Sequence, residues 1–517
     1  MDSMFSRRRF ISASSFLLTF LRTRPWIDAL TKEPDVATLQ VSTRVNHPPV
    51  PQDFVGLSYE VMQLEDPSFF SASNTGLVEA FRQISTRGVL RMGGNTSEFS
   101  WWKPNSTDRP PVRSTAKPNP GEPPPSTLYA ITPEAIRNLG SFLKATGWTC
   151  IYGLNLGYGT PTVDTAEAVF VARTLGSSLA YFQIGNEVDD FSRHLRDPNT
   201  WNAETYLKEW LSIARAVEEA VPDVPFGLPD VATDVTWLPQ IAAKLTAIDR
   251  KPRLVALSHH HYFGGPPSNP NVDIPHLMRI DPVVAQQAKI AKPAANLLNV
   301  ALRMTEGNTC YRGGKSDLSD VFASALWAAE YALRLMQLGY GGIHLHGGSG
   351  HAVAVSVGGG LVGEKLMQDP TSPHPKPFYT PIANQATTHG SGTDTPLNGV
   401  YQVQPVGFGL IFAGAFCGAS PLDANLSSGG VLPETVSAYA ARQSDGTVLV
   451  AIFNKDGENE FRVNLPAYKP MKVLSADSLT SRIARIDTIG NITRTSNASL
   501  KNQLTVPPHT SVMLSLV

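Results

Sequence analysis

The stretch FQIGNEVDD, Phe182 to Asp190, decides how the rest of the chain is read. Tyr181 to Ile184 is apolar and aromatic, as a parallel strand buried on both faces requires, and the run stops at Gly185, Asn186 and Glu187. An amide and a carboxylate therefore stand where such a strand would end, which is the edge at which an α/β barrel keeps its chemistry. ALRMTEGNTCYRGGK has the same form: a strand-like run from Ala301 to Met304 ends at Thr305, Glu306 and Gly307. Two glutamates, each closing a predicted strand, make the rest of the chain legible as the means of bringing Glu187 and Glu306 together.

Composition bounds the possibilities. At 517 residues, with 42% hydrophobic and 17% charged, the chain is long enough for a large barrel and one smaller domain, and it has no disordered or fibrous signature. A formal net charge of -1 leaves no electrostatic case for nucleic acid or an acidic membrane surface. Cys150, Cys310 and Cys417 lack metal-type spacing, and their odd number leaves at least one unpaired. Near the N-terminus, SRRRFI (Ser6 to Ile11) sets consecutive arginines before an apolar stretch, Phe10 to Leu21, that Arg22 breaks. This stretch is too short to span a bilayer, so residues 1–30 are expected to be a twin-arginine-type export signal, giving a periplasmic or secreted protein with no membrane span once mature. A basic tail or an uncleaved anchor is the alternative.

In order, the mature chain alternates strand-like and helix-like segments. Val36 to Val45 reads as an isolated strand before the Pro-rich NHPPVPQDF, so residues 31–48 are expected to join another domain. Strands are predicted at Phe54–Glu60, Gly88–Asn95, Thr149–Gly157, Tyr181–Ile184, Val224–Ala232, Leu254–Phe263, Ala301–Met304 and Gly341–Gly348. Helices are predicted between them, among them Pro133–Thr146, Ala203–Ala220, Pro282–Leu298 and Ser319–Leu338, with Pro405–Phe416 as the last. Trp101 to Thr127, rich in Pro, Lys and Arg, is expected to have no regular structure, and Ser349 to Phe378 reads as an insertion. The count favours a (β/α)8 TIM barrel over residues 49–420. From residue 421 the pattern changes to short alternating runs such as TVLVAIFNKD and TSVMLSLV, the signature of an antiparallel β-sandwich that the early strand could complete.

The chemistry follows from position. Glu187 at the end of strand four and Glu306 at the end of strand seven would project into one cleft, as glycoside hydrolysis asks, with one carboxyl as proton donor and the other as nucleophile. Repulsion between close carboxylates is expected to raise the pKa of the donor. Glu187 is assigned as general acid/base and Glu306 as nucleophile. Asn186 is placed to hold a sugar hydroxyl, and Tyr262, ending strand six, to donate a hydrogen bond to Glu306. His259, His260 and His261 are adjacent on a strand, so they point to opposite faces and cannot all bind one ion; a polar cleft lining is expected, with no metal and no cofactor.

At these residues the chain resembles a known family. RMTEGNTCYRGGK (Arg303 to Lys315), FQIGNE (Phe182 to Glu187), RMGGN (Arg91 to Asn95), IYGLNLG (Ile151 to Gly157) and HLHGG (His344 to Gly348) together resemble glycoside hydrolase family 79, the β-glucuronidase and heparanase family, and within it the bacterial β-glucuronidases. The resemblance covers about residues 40 to 420 and the C-terminal sandwich in outline. It implies an exo-acting retaining hydrolase that removes terminal β-linked glucuronic acid from a glycoside or oligosaccharide. It also implies that Tyr311, after Glu306, and a tyrosine after strand eight, placed at Tyr379, bind the sugar carboxylate, with Asn95 among the substrate-binding residues. Val188 departs from the family, which often has proline after the acid/base glutamate. A 4-O-methylglucuronidase, a heparanase-like endo-enzyme and a non-catalytic sugar-binding barrel stay open beside this reading.

Overall fold

The structure is a computed structural model, and it describes residues 36–45, 47–111, 128–348, 378–384, 401–488 and 502–517. The expected export signal at 1–30 lies outside the described residues, as do 112–127 of the Pro-rich loop and 349–377 of the expected insertion. No helix among the described residues is long and apolar enough to cross a membrane.

Eight strands close into a barrel: β1 (Val55–Glu60), β2 (Val89–Gly93), β3 (Thr149–Leu154), β4 (Leu179–Ile184), β5 (Phe226–Val231), β6 (Leu254–Tyr262), β7 (Ala301–Asn308) and β8 (Ile343–Gly347). Each pairs in parallel with its sequence neighbour, and β8 returns to β1 with His346 opposite Ser58. Because successive side chains alternate, Leu57, Tyr59, Leu90, Met92, Tyr152 and Phe182 lie in the main hydrophobic core beneath the helices. Ser58, Arg91, His260, Glu306 and His346 are left to fill the interior. The expected barrel strands all form, and β7 runs two residues past Glu306, with an irregular pairing against β6 between Met304 and Glu306.

Of the helices that enclose the barrel, Pro133–Thr146, Ala203–Ala220 and Pro282–Leu298 have the expected bounds, while that expected at Ser319–Leu338 runs Phe322–Gln337 and that expected at Pro405–Phe416 ends at Ala413. Thr132 accepts from Ala135 N ahead of Pro133–Thr146, and Gly147 closes that helix at φ 79°. Asn202 and Thr205 form a capping box for Ala203–Ala220, and Asp281 caps Pro282–Leu298. One expectation is corrected: Ser100–Trp102, at the start of the segment expected to be irregular, is a strand paired in parallel with Tyr129–Ile131, because both tryptophans are buried.

The second unit of architecture is a nine-stranded, largely antiparallel sheet. Ala37–Val45 lies within it, antiparallel to Ser420–Ser427 and parallel to Phe461–Asn464. The sheet folds over a core of Ala37, Leu39, Val450, Ile452, Val463, Val506, Val512 and Leu514. The alternate residues Leu449, Ala451, Phe453 and Met513 face the other way and belong to the barrel's core cluster. At this junction Lys455 pairs with Glu330 of helix Phe322–Gln337, and Ser437 and Tyr439 donate to the same carboxylate.

Candidate active site

Glu187 and Glu306 meet at the C-terminal end of the barrel. Each offers a carboxylate oxygen, and His260 a ring nitrogen, within 4.8 Å of one another. Glu187 sits three residues beyond β4 in the left-handed region, φ 51°, two residues after Gly185 at φ 90°. Its N–H donates to Asp230 O at 2.8 Å, and its side chain is 24% exposed. Glu306, inside β7, is fixed at both oxygens: Tyr262 OH donates to Oε1 at 2.8 Å, and Arg91 Nη1 donates to Oε2 at 2.8 Å.

Arg91 is the hub beneath both. It projects from β2, is 1% exposed, and also donates to Ser58 Oγ at 2.9 Å, to Asn186 Oδ1 at 2.6 Å and to Asp230. Asp230 ends β5, pairs with His260 Nε2 at 3.1 Å and accepts from Thr305. On the far side His346 Nδ1 lies 3.6 Å from Glu306 Oε2, and its Nε2 lies 3.3 Å from Glu60 Oε1. A guanidinium and two imidazoles thus surround the Glu306 carboxylate.

The electrostatics divide the two glutamates. Burial raises the pKa of Glu187, and the neighbouring charges of Glu306 and Asp189 add to it, against the lowering effect of His260. Burial would raise Glu306 too, but His346, His260, Arg91 and the Tyr262 hydrogen bond hold it down to about 2. Burial and the unequal share of cations dominate this split, where mutual repulsion alone was expected; like-charge repulsion is the smaller contribution. Burial opposes protonation of His260, yet Asp230 and Glu306 push it up to about 10. The two nitrogens of the His260 ring face the carboxylates of Glu187 and Asp230, which makes the ring an ion-pair bridge between them.

The three histidines alternate as a strand demands. His260 points into the cleft, while His259 Nε2 meets Tyr340 OH at 2.8 Å and His261 pairs with Asp281 behind the barrel wall. Asn186 is buried, its carbonyl taken by Arg91 and its Nδ2 donating to Asn95 Oδ1 at 3.1 Å. Tyr262 makes an edge contact with Tyr311 at 6.2 Å and stacks on Tyr379 at 6.5 Å. Tyr311 is 37% exposed, and Gly265 gives it room, since a Cβ there would fall 2.5 Å from the ring. Tyr379 is 1% exposed and reaches the cleft wall by its own backbone, its N–H donating to Gly313 O and its carbonyl accepting from Asn308 Nδ2. All seven residues singled out from the sequence therefore fall in one connected cluster at the C-terminal end of the barrel.

Arg91, Asp230, His346, Glu60 and Glu98 were not singled out. Arg91 and Asp230 carried a signal, since a charge inside the apolar runs VLRMG and FGLPDV must be paired when those strands are buried. Glu98, on the short 3-10 helix after β2, accepts three backbone N–H groups, and burial pushes its pKa up to about 7 against them. Nothing in its local sequence announces this.

No family model matches the chain. It is 25% identical over 334 residues to a β-glucuronidase of Aspergillus niger, covering 59% of this chain and 60% of the relative. It is 26% identical over 360 residues to a β-glucuronidase of Neurospora crassa, covering 62% of each. The chain thus spans less than two thirds of the length of the curated relatives it matches. Among solved structures, a 4-O-α-L-rhamnosyl-β-D-glucuronidase from Fusarium oxysporum shares the fold with a TM-score of 0.65 at 16% identity, over 93% of this chain and 99% of that one. A family 51 arabinofuranosidase from Xanthomonas axonopodis pv. citri does so with a TM-score of 0.63 at 13% identity, over 94% of this chain and 100% of that one. These matches bear out the resemblance to glycoside hydrolase family 79: the chain is similar in sequence to two fungal β-glucuronidases and carries its paired glutamates on the barrel fold of glycosidases.

Proposed function

We propose that this protein is a retaining exo-β-glucuronidase. The observation that carries the reading is the pair Glu187 and Glu306, with carboxylate oxygens within 4.8 Å of each other and opposite electrostatic settings. Retaining glycosidases hold the two carboxyl groups about 5–5.5 Å apart, whereas inverting ones need about 6.5–9.5 Å to admit a water.

Glu306, ionised and held by Arg91 and Tyr262, attacks the anomeric carbon as Glu187 gives its proton to the departing oxygen. The glycosyl–Glu306 ester forms and the aglycone leaves with that proton. Glu187, now a carboxylate beside protonated His260, then takes a proton from water as the water attacks the ester, which restores both residues. Asn186 keeps one amide N–H beyond its bond to Asn95 and offers it to the sugar hydroxyl next to the reacting carbon. Tyr311 and Tyr379, on either side of Tyr262, supply hydroxyls for the sugar carboxylate. Asn95 acts through Asn186, whose amide it orients.

The names of the fungal relatives support a glucuronide as substrate, and that of the Fusarium structure puts a 4-O-substituted uronide beside it as a second candidate. Export belongs to the same proposal and rests on the arginines at 7–9 ahead of the apolar stretch. Fractionation of cells expressing the full chain, with Arg7 and Arg8 replaced by lysine in a control, tests it. For the activity, hydrolysis of a chromogenic β-D-glucuronide is compared with that of the β-D-glucoside, using wild type and Glu306→Gln. Turnover of the glucuronide alone, lost in the variant, supports the reading; cleavage of the glucoside alone overturns the specificity, and turnover of neither leaves the sugar-binding alternative.

A further inference from the structure

The loop that presents Glu187 is held in an unfavourable backbone. Gly185 and Glu187, two residues of three, have positive φ, and the second is not a glycine. What holds it is visible on both sides. On one side Glu98 Oε1 accepts from Asn186 N at 2.7 Å, while Glu98 Oε2 accepts from Leu156 N at 2.9 Å and Gly157 N at 2.5 Å. The same two residues are clamped at their carbonyls by Arg196, which donates to Leu156 O at 2.8 Å and to Gly157 O at 3.0 Å. The loop after β3 is therefore a fixed post, and Glu98 ties the residue before Glu187 to it. On the other side Asp189 accepts from Ala232 N at 2.7 Å, Thr233 N at 3.0 Å and Asp234 N at 2.9 Å, which binds the loop to the segment after β5.

We propose that Glu98 is a positioning residue for the acid/base: by bridging the Asn186 amide to the Leu156–Gly157 amides, it sets the height and direction at which the Glu187 carboxyl enters the cleft. Glu98 is 2% exposed and its acceptor bonds run to backbone amides of the two loops, so it acts on Glu187 through this bridge. Both of its oxygens are needed, because each serves a different loop. Glutamine in its place would turn an NH2 toward one of them, and the bridge would open at that end. In its ionised form Glu98 is an acceptor at both ends, and charge-assisted bonds of this kind are stronger than neutral ones. The inference rests on the reading of Glu187 as proton donor.

The test uses leaving groups. A misplaced proton donor slows departure of a poor leaving group and spares an activated one that leaves without help. For Glu98→Gln, kcat/KM on phenyl β-D-glucuronide is expected to fall about tenfold or more, and on dinitrophenyl β-D-glucuronide by less than about threefold, with KM little changed. Glu187→Gln, measured alongside, is expected to show the same pattern more strongly. Equal losses on both substrates for Glu98→Gln, with the pattern intact in Glu187→Gln, would overturn the positioning role. No leaving-group pattern in Glu187→Gln would overturn the acid/base reading, and the inference with it. If Glu98→Gln does not fold, Glu98→Asp, which keeps the charge but is a methylene short of spanning both loops, carries the same expectation and the same refutation.

Discussion

His260 Nδ1 lies 3.1 Å from Glu187 Oε1 while the other nitrogen of the ring lies 3.1 Å from Asp230 Oδ2. One imidazolium thus ties the partly exposed carboxyl of Glu187 to the buried carboxylate that Arg91 also holds. Its charge lowers the pKa of both Glu187 and Glu306. In His260→Gln that cation is gone and both pKa values rise. Activity requires Glu306 ionised and Glu187 protonated, so both limbs of the pH profile should move to higher pH. A kcat/KM profile measures this; a fixed alkaline limb would show that another group controls it.

In the wild type, the acid limb should lie far below neutrality, because Glu306 takes up a proton only near about 2. The alkaline fall should follow loss of the Glu187 proton, above the usual glutamate range. Glu187→Gln should remove that fall for an activated substrate, because no proton donor is then being titrated.

Tyr262→Phe removes one hydrogen bond to Glu306 and leaves the ring between Tyr311 and Tyr379. Loss of a single preorganised donor at a reacting centre typically costs about 10²–10³-fold in kcat. A similar loss is expected here, with an unchanged melting temperature.

Arg91→Lys should be nearly inactive even though it keeps the charge. The guanidinium serves Ser58, Asn186, Asp230 and Glu306 from one plane, and an ammonium cannot reach all four. Measurement of kcat beside the circular dichroism of the folded variant separates lost chemistry from lost structure.

At the barrel–sandwich junction, Lys455 and Glu330 are almost wholly buried and paired. Lys455→Met leaves the carboxylate without its cation and should cost about 3–5 kcal/mol in urea unfolding. Replacing both, Lys455→Met with Glu330→Leu, should recover only part of that, since the unpaired charge is gone but Ser437 and Tyr439 lose their acceptor.

The sequence by itself determined the barrel. Eight apolar runs at near-regular spacing, separated by helices with Thr132, Asn202 and Asp281 at their caps, are local signals that need no knowledge of distant contacts. Once the barrel is assumed, Glu187 and Glu306 must share one rim, and Tyr262 must stand beside Glu306, because strand ends of a closed parallel barrel converge. The sequence also assigned the proton to Glu187, but only the tertiary structure supplies the physical cause of that division. That depends on how Arg91, His260 and His346, from three strands far apart in sequence, distribute their charge in a buried space, and Coulomb interactions there follow distance in space, with no trace in local sequence. Glu98 belongs to the same class: its carboxylate serves backbone amides 58, 59 and 88 residues away, and backbone amides are alike in every residue that has one.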